Sequence, residues 1–171
     1  PFNYCTPTIL RFATAFGLSK RMRFDLTVNE FCRDLVLGKE LTIFDADTWR
    51  PYCHVEDFAS LIASVFEAPK ELVNNEVFNA GGDINNRTKQ GIIDALKVFI
   101  PSAKIKYKEK GSDPRNYKVN FTKVRKTLGF QPKFTVEMGL KEIISAVQSG
   151  MFENLDTNIN QYGNYDLTGV K

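Results

Sequence analysis

Apolar residues recur along this chain with two periods, and the switching between them predicts a mixed order of strands and helices. Between residues 56 and 68, Phe58, Leu61, Ile62, Val65 and Phe66 return every three or four positions, which predicts a helix with that face inward. A second helix is predicted over 25–37, with Leu26, Phe31, Leu35 and Val36 inward and Gly38 as its stop. A third, over 88–99, places Ile92, Ile93, Leu96 and Phe99 inward and halts before Pro101. Thr122 and Thr135 each offer a capping hydroxyl, and from the second a helix runs to about residue 149 with Leu140, Ile143, Ile144 and Val147 inward. Short strands are predicted over 8–13, 41–44, 76–79 and 104–108, followed by the turn residues Gly17, Asp45-Ala46-Asp47, Gly81-Gly82 and Gly111-Ser112-Asp113-Pro114. Residues 154–171 are rich in Asn, Asp, Thr and Gly and carry little to bury. They predict a loosely held polar tail (151–171) after one domain over 1–150.

Composition narrows the class without naming a function. A chain of 171 residues can bury roughly 70% of its unfolded surface, enough for one domain with a real core. Its 43% hydrophobic and 25% charged residues are ordinary for a soluble globular protein. No apolar run approaches the length that spans a bilayer, so no membrane partner is expected. The opening Pro1-Phe2-Asn3-Tyr4-Cys5 shows neither an initiating Met nor the regions of a signal peptide. Cys5, Cys32 and Cys53 are widely spaced and odd in number, with no clustered histidines beside them. Reduced, partly buried thiols in a cytoplasmic protein are therefore expected, rather than disulfides or a metal site. A net charge of +3 is too small to argue for nucleic acid. Lys104, Lys106, Lys108 and Lys110 alternate along one strand face, where they either discourage edge pairing or steer anionic ligands.

Candidate chemistry is sparse. There is no Gly-x-Gly-x-x-Gly to cradle a dinucleotide, and none of the six tyrosines has a lysine four residues on. His54 is the only histidine, so no relay needing a second one can be built. No self-sufficient catalytic constellation is present in this chain. One cation stands out: Arg50, in Trp49-Arg50-Pro51-Tyr52-Cys53-His54-Val55-Glu56-Asp57, lies between the strand 41–44 and the helix 56–68. Glu56 and Asp57 in the first turn of that helix suit the positive end of its dipole. On a loop before the helix, a guanidinium has the fork geometry for a phosphate or carboxylate, although a plain surface arginine fits the same pattern.

The stretch resembles the Arg-x-x-x-His-Val-x-Asp segment of the extended short-chain dehydrogenases, the NAD-dependent nucleotide-sugar epimerases and dehydratases. The likeness runs from about residue 8 to 150. It implies an α/β fold in which strands 8–13 and 76–79 complete the end of a Rossmann-type parallel sheet. The remaining elements would form the smaller C-terminal substrate-binding domain. Arg50 would hold the diphosphate of a nucleotide-sugar substrate. Residues 8–17 look like the family's strand and loop beside the nicotinamide and sugar, placing Thr14 and Ala15 at the cofactor, where many members have Asn and Pro. Residues 21–29 resemble the helix start that cradles the diphosphate, which implicates Arg23, Asp25, Thr27 and Asn29. Asp25 or Thr27 would cap that helix, and Asn29 suits interior backbone equally well.

Residues 111–120 resemble the late nucleotide-contact loop, with Asp113 toward ribose hydroxyls, Arg115 toward phosphate and Tyr117 beside them. The bland alternative is a turn with Tyr117 packed at a core edge. Lys123, Leu128, Gly129, Phe130 and Pro132 follow in the family's Lys-x-x-x-x-Leu-Gly-Phe-x-Pro manner. By the same resemblance, NAD or NADP would bind mainly in an N-terminal half that carries the glycine motif and the Tyr-x-x-x-Lys. The full-length parent would be a homodimer. The alternative from another class is a non-catalytic ligand-sensing or partner-binding module that reuses the fold. The chain by itself is expected to turn over no nucleotide sugar, because it encodes neither cofactor cradle nor proton donor. Incubation with NAD and a panel of UDP-, dTDP-, CDP- and GDP-sugars checks this, and product above a no-protein control would overturn it.

Overall fold

Among the described residues, 6–109, 115–155 and 159–163, a computed structural model of the chain contains seven short strands and six helices. β1 (Ile9–Phe12) lies parallel to β5 (Val77–Ala80), with Ile9 opposite Val77 and Phe12 opposite Ala80. This is the side-by-side parallel arrangement that the resemblance implies for those two strands. One residue after β1, β2 (Thr14–Phe16) runs parallel to β4 (Trp49–His54), and β4 pairs antiparallel with β6 (Asn86–Thr88). A third pair, again parallel, joins β3 (Leu41–Phe44) to β7 (Ile105–Lys108).

The helices start where local chemistry satisfies their first amides. α4 (Lys89–Phe99) is capped by Thr88, whose hydroxyl accepts from the Gly91 N–H at 2.9 Å. α6 (Val136–Gln148) is capped by Thr135 in the same way, from the Met138 N–H at 3.3 Å. Thr122 instead opens α5 (Thr122–Leu128), with Phe121 in the cap position and no side-chain cap bond. α2 (Val55–Glu67) uses an imidazole, His54 Nδ1 accepting from the Glu56 N–H at 3.3 Å. The main core gathers Phe16, Phe24, Val28, Phe31, Ile43 and Tyr52 with the inward faces of α4 and α6, and α1 (Thr27–Val36) packs against α6 along it. A smaller core under β5 joins Leu61, Phe78, Phe121, Val124 and Phe130 with Val73 of the one-turn α3 (Lys70–Val73).

Several expectations need correction. Residues 49–54 form a strand rather than a loop, because Trp49–Pro51 find β6 and Tyr52–His54 find β2 as partners. Of the five residues expected inward on α2, only Leu61 is buried; Ile62 is 39% and Phe66 85% exposed. The 3.6-residue period is present, but this chain covers only part of the stripe it makes. Phe99, in the last turn of α4, is also more than a third exposed. Beyond residue 150 the chain is not simply a loose tail. Leu155 is buried, Phe152 and Tyr162 close edge-on around the Phe24 ring, and the Phe24 N–H donates to the Tyr162 carbonyl at 2.6 Å. Lys110 and the turn 111–114 lie outside the described residues; Lys104, Lys106 and Lys108 are exposed. No described helix is long and apolar enough to cross a membrane.

Phe12, about half exposed, shares a side of the molecule with the α2 stripe, since it meets Phe58 edge-on at 4.6 Å, and Ile9 at the other end of β1 is also half exposed. Beside them β1 has a strand partner on one edge only among the described residues. An open parallel edge next to exposed large apolar side chains invites association. The purified chain is therefore expected to self-associate, and Phe66→Glu to reduce the mean particle size in light scattering at unchanged helical circular dichroism. A strictly monomeric wild type, melting cooperatively in calorimetry, would contradict this.

Candidate functional site

Along β4 successive side chains alternate between faces, so Arg50, Tyr52 and His54 share one. Tyr52 and His54 are fully enclosed on that face against the main core, and Arg50 is half-buried where it emerges. On one side of Arg50 the segment 116–118 is fastened to Trp49. Asn116 accepts from the Trp49 N–H at 2.9 Å, the Tyr117 N–H donates to the Trp49 carbonyl, and the Lys118 ammonium sits 3.6 Å over the Trp49 ring. This brings the Tyr117 ring within 5.5 Å of the Arg50 guanidinium, which also donates to the Trp49 carbonyl at 2.9 Å. On the other side, across the β4–β6 ladder, Arg50 stands directly opposite Arg87, and Arg87 reaches Glu137 in the first turn of α6 at 2.9 Å. Tyr117, Arg50, Arg87 and Glu137 thus form a row across one face of the sheet.

The start of α1 lies beside Tyr52, the neighbour of Arg50 on that face of β4. Its cap position is Leu26, which offers no side-chain acceptor, so the first amides keep no local cap. Asp25 does not cap it, because its carboxylate is bound by Arg23 through two bonds of 2.7 and 2.5 Å. Thr27 is the first helical residue and does not cap it either. It lies beside the Tyr52 hydroxyl, which is buried and completes no hydrogen bond of normal geometry. Burial pushes the Tyr52 phenol up to about 12, opposed by the nearby Thr27 side chain and by the positive field of Arg50.

The other expected site residues divide clearly. Thr14 and Ala15 are half-buried in β2 opposite Tyr52 and Cys53, on the strand next to Arg50. Asn29 is not available to a ligand: it is 2% exposed, accepts from the Gly17 N–H at 3.2 Å and donates to the Arg23 carbonyl at 2.9 Å. Its amide orders the loop between β2 and α1 from inside. Arg23 and Asp25 neutralise one another at the edge of that loop. Arg115 is exposed, Tyr117 is half-exposed against Arg50, and Asp113 lies outside the described residues. A cavity of about 210 Å³ opens beside the row, lined by Arg11, Ala13, Pro51, Asn79 and Tyr117 among others. Arg87 is the residue that sequence reasoning missed. It sits in Asn85-Asn86-Arg87-Thr88, a polar run that reads as a turn, and only strand pairing brings it to Arg50. Cys32 and Cys53 are free and buried, and burial pushes both thiols up, away from the reactive thiolate; Cys5 lies outside the described residues.

Known proteins share the parallel-stranded α/β layout of this chain. The chain matches the NAD dependent epimerase/dehydratase family over residues 3–81. It is 29% identical over 135 residues to an uncharacterized protein of Methanocaldococcus jannaschii, spanning 77% of this chain and 40% of that protein. The UDP-glucose 4-epimerase of Thermotoga maritima, solved with UDP-glucose, superposes with a TM-score of 0.71 at 27% identity, over 85% of this chain and 47% of that one. The UDP-glucuronic acid 4-epimerase of Bacillus cereus, solved with UDP-glucuronic acid and NAD, gives 0.71 at 24% identity, over 83% and 45%. The dTDP-glucose 4,6-dehydratase of Bacillus anthracis, in complex with NAD, gives 0.68 at 25% identity, over 82% and 44%. The chain thus spans less than half the length of these relatives.

Tyr52 tests the geometry at the centre of this face. A buried hydroxyl without a partner contributes little, so Tyr52→Phe should change stability at neutral pH by less than about 1 kcal/mol. The difference should grow in alkali. In the unfolded chain the phenol ionises near its ordinary value of about 10, whereas in the folded chain it stays protonated to about 12. Stability carried by the neutral phenol is therefore present below pH 10 and is lost as the pH rises toward 12. Urea titrations across pH 8–11.5 should show wild type losing more stability than Tyr52→Phe above pH 10, beyond the decline that the buried Cys32 and Cys53 thiols impose on both. An identical decline in the two proteins above pH 10 would contradict the burial of Tyr52.

Proposed function

We propose that this chain is the nucleotide-sugar-binding portion of an NAD(P)-dependent epimerase or dehydratase, and that it holds the substrate diphosphate between Arg50 and the start of α1. The observation that carries the reading is the shared face. Arg50 emerges from β4 next to the enclosed Tyr52, and Thr27, first residue of the uncapped α1, lies beside that same Tyr52. A helix start without a side-chain cap presents free N–H groups and the positive end of the dipole, which favour phosphate. The guanidinium adds a charge-assisted fork, and its contact with the Tyr117 ring limits its rotation. The solved relatives named above hold UDP-sugars or NAD, which supports nucleotide sugars as the class of ligand.

For NAD or NADP this chain offers little beyond Thr14 and Ala15 on β2, a hydrogen-bonding side chain and a small one that leaves room beside it. When bound, the cofactor would supply a hydride acceptor for transient oxidation of a sugar carbon. The residues present here would bind and orient. Orientation is catalytic in effect, since holding a reacting carbon in place removes a large entropic part of the barrier.

Removing one charge-assisted bond of this type costs roughly 1.5–3 kcal/mol. In the full-length gene product, Arg50→Ala should therefore weaken UDP-glucose or dTDP-glucose binding by roughly tenfold to a hundredfold and leave NAD affinity almost unchanged. Arg50→Lys should recover only part, because an ammonium lacks the fork. Calorimetric titration of both ligands into the three proteins decides it. Equal nucleotide-sugar affinity for wild type and Arg50→Ala would return Arg50 to an ordinary surface arginine.

A further inference from the structure

We propose that Arg87 is a second guanidinium of the anion site, held in reserve by Glu137 and handed to the ligand on binding. The inference rests on the reading above, in which Arg50 meets a diphosphate. Arg50 and Arg87 are register partners in the β4–β6 ladder, so their side chains leave the sheet on the same face. Directly opposite residues in an antiparallel pair have Cβ atoms only about 4.5–5.5 Å apart, and like charges there are destabilising unless a counter-charge is supplied. Glu137 supplies it, 2.9 Å from one terminal nitrogen of Arg87. The neutralisation is partial. Glu137 takes that one nitrogen, while Nε of Arg87 is buried and has no hydrogen-bond partner. The terminal nitrogens of Arg87, on a side chain 34% exposed, are where a phosphate oxygen would replace the Glu137 carboxylate.

Both members of the pair are accessible: the Arg87 side chain is 34% and the Glu137 side chain 42% exposed. An ion pair so open to water is worth little in itself, which makes exchange of partners inexpensive. A dianion arriving at Arg50 meets Arg87 one strand away and offers what Glu137 offers with more charge. Glu137 then acts as a resident stand-in for the ligand. It keeps the two guanidiniums compatible while the site is empty and competes for Arg87 when ligand arrives. The class of ligand this favours is one with two adjacent anionic groups, a nucleoside diphosphate over a nucleoside monophosphate.

The pair makes opposite predictions for its two members, which a structural ion pair does not. With UDP as the probe and the full-length gene product, Arg87→Met should weaken binding about fivefold and reduce the preference for UDP over UMP. Glu137→Gln should tighten UDP binding about twofold to threefold, by removing the competitor. In the Arg87→Met background, Glu137→Gln should have no effect, which separates competition for Arg87 from a general change of charge. Thermal melts of each variant establish that it is folded. Weaker binding in both single variants, or a gain from Glu137→Gln that survives in the double variant, would overturn the proposal. Unchanged binding in Arg87→Met with a loss in Arg50→Ala would sink Arg87 alone. No loss in Arg50→Ala would remove the reading on which the proposal rests.

Discussion

The imidazole of His54 is the point on which the arrangement of this chain turns. It is the last residue of β4 and the cap of α2, and it has no contact with solvent. Nδ1 accepts from the Glu56 N–H, so the ring proton resides on Nε2, which donates to Glu142 of α6 at 2.9 Å. The ring stacks on Phe134 at 4.2 Å and meets Phe16 of β2 edge-on at 5.3 Å. Its closeness explains Gly17, which has φ of +102° and no room for more: a Cβ there would lie 2.1 Å from Nε2. The same Glu142 carboxylate accepts from the Leu18 N–H at 3.2 Å. One side chain therefore sets the strand that bears Arg50, the helix that follows it, and the loop leading to α1.

Asp57 adds the matching tie from the next turn. Its carboxylate is 1% exposed and accepts from the Lys133 and Phe134 N–H groups at 2.8 and 3.1 Å, holding the segment that carries the stacked ring. A buried carboxylate is tolerable when two backbone donors satisfy it, and here it replaces the hydrogen bonds an irregular loop would otherwise lack. Read together, the His-Val-x-Asp stretch is less a ligand-binding motif than a pair of struts that present Arg50 at a fixed height.

Legibility in the sequence followed the range of the interactions. α4 and α6 could be read closely because Thr88 and Thr135 cap within three residues and the apolar period is unbroken. β4 could not, since Arg50-Pro51-Tyr52-Cys53 shows no alternation and its two partners lie 38 positions before and 37 after it, as the Thr14–Tyr52 and Arg50–Arg87 pairings show. Asn29 is implicated by the resemblance of residues 21–29, with interior backbone as the equal alternative, and its two backbone partners match that alternative. Ile62 and Phe66 obeyed the helical period, yet period alone does not say whether a second layer covers the stripe. Arg50 stood out by motif, and Arg87 only by register.

The distances in sequence spanned by these struts have a kinetic meaning. Asp57 closes over 76 residues to Lys133, His54 over 88 to Glu142, and Leu18 over 124 to the same carboxylate. Contacts of such separation must meet the entropy of closing a long loop before they return anything, so they form late. During synthesis β2, β4 and the loop before α1 emerge long before residue 142 exists, and until then the imidazole has a cap to serve but no carboxylate to seat it. The face that bears Arg50 is therefore set in place in one late step, when α6 docks, and a nascent chain halted short of that helix would carry Arg50 on an unanchored strand.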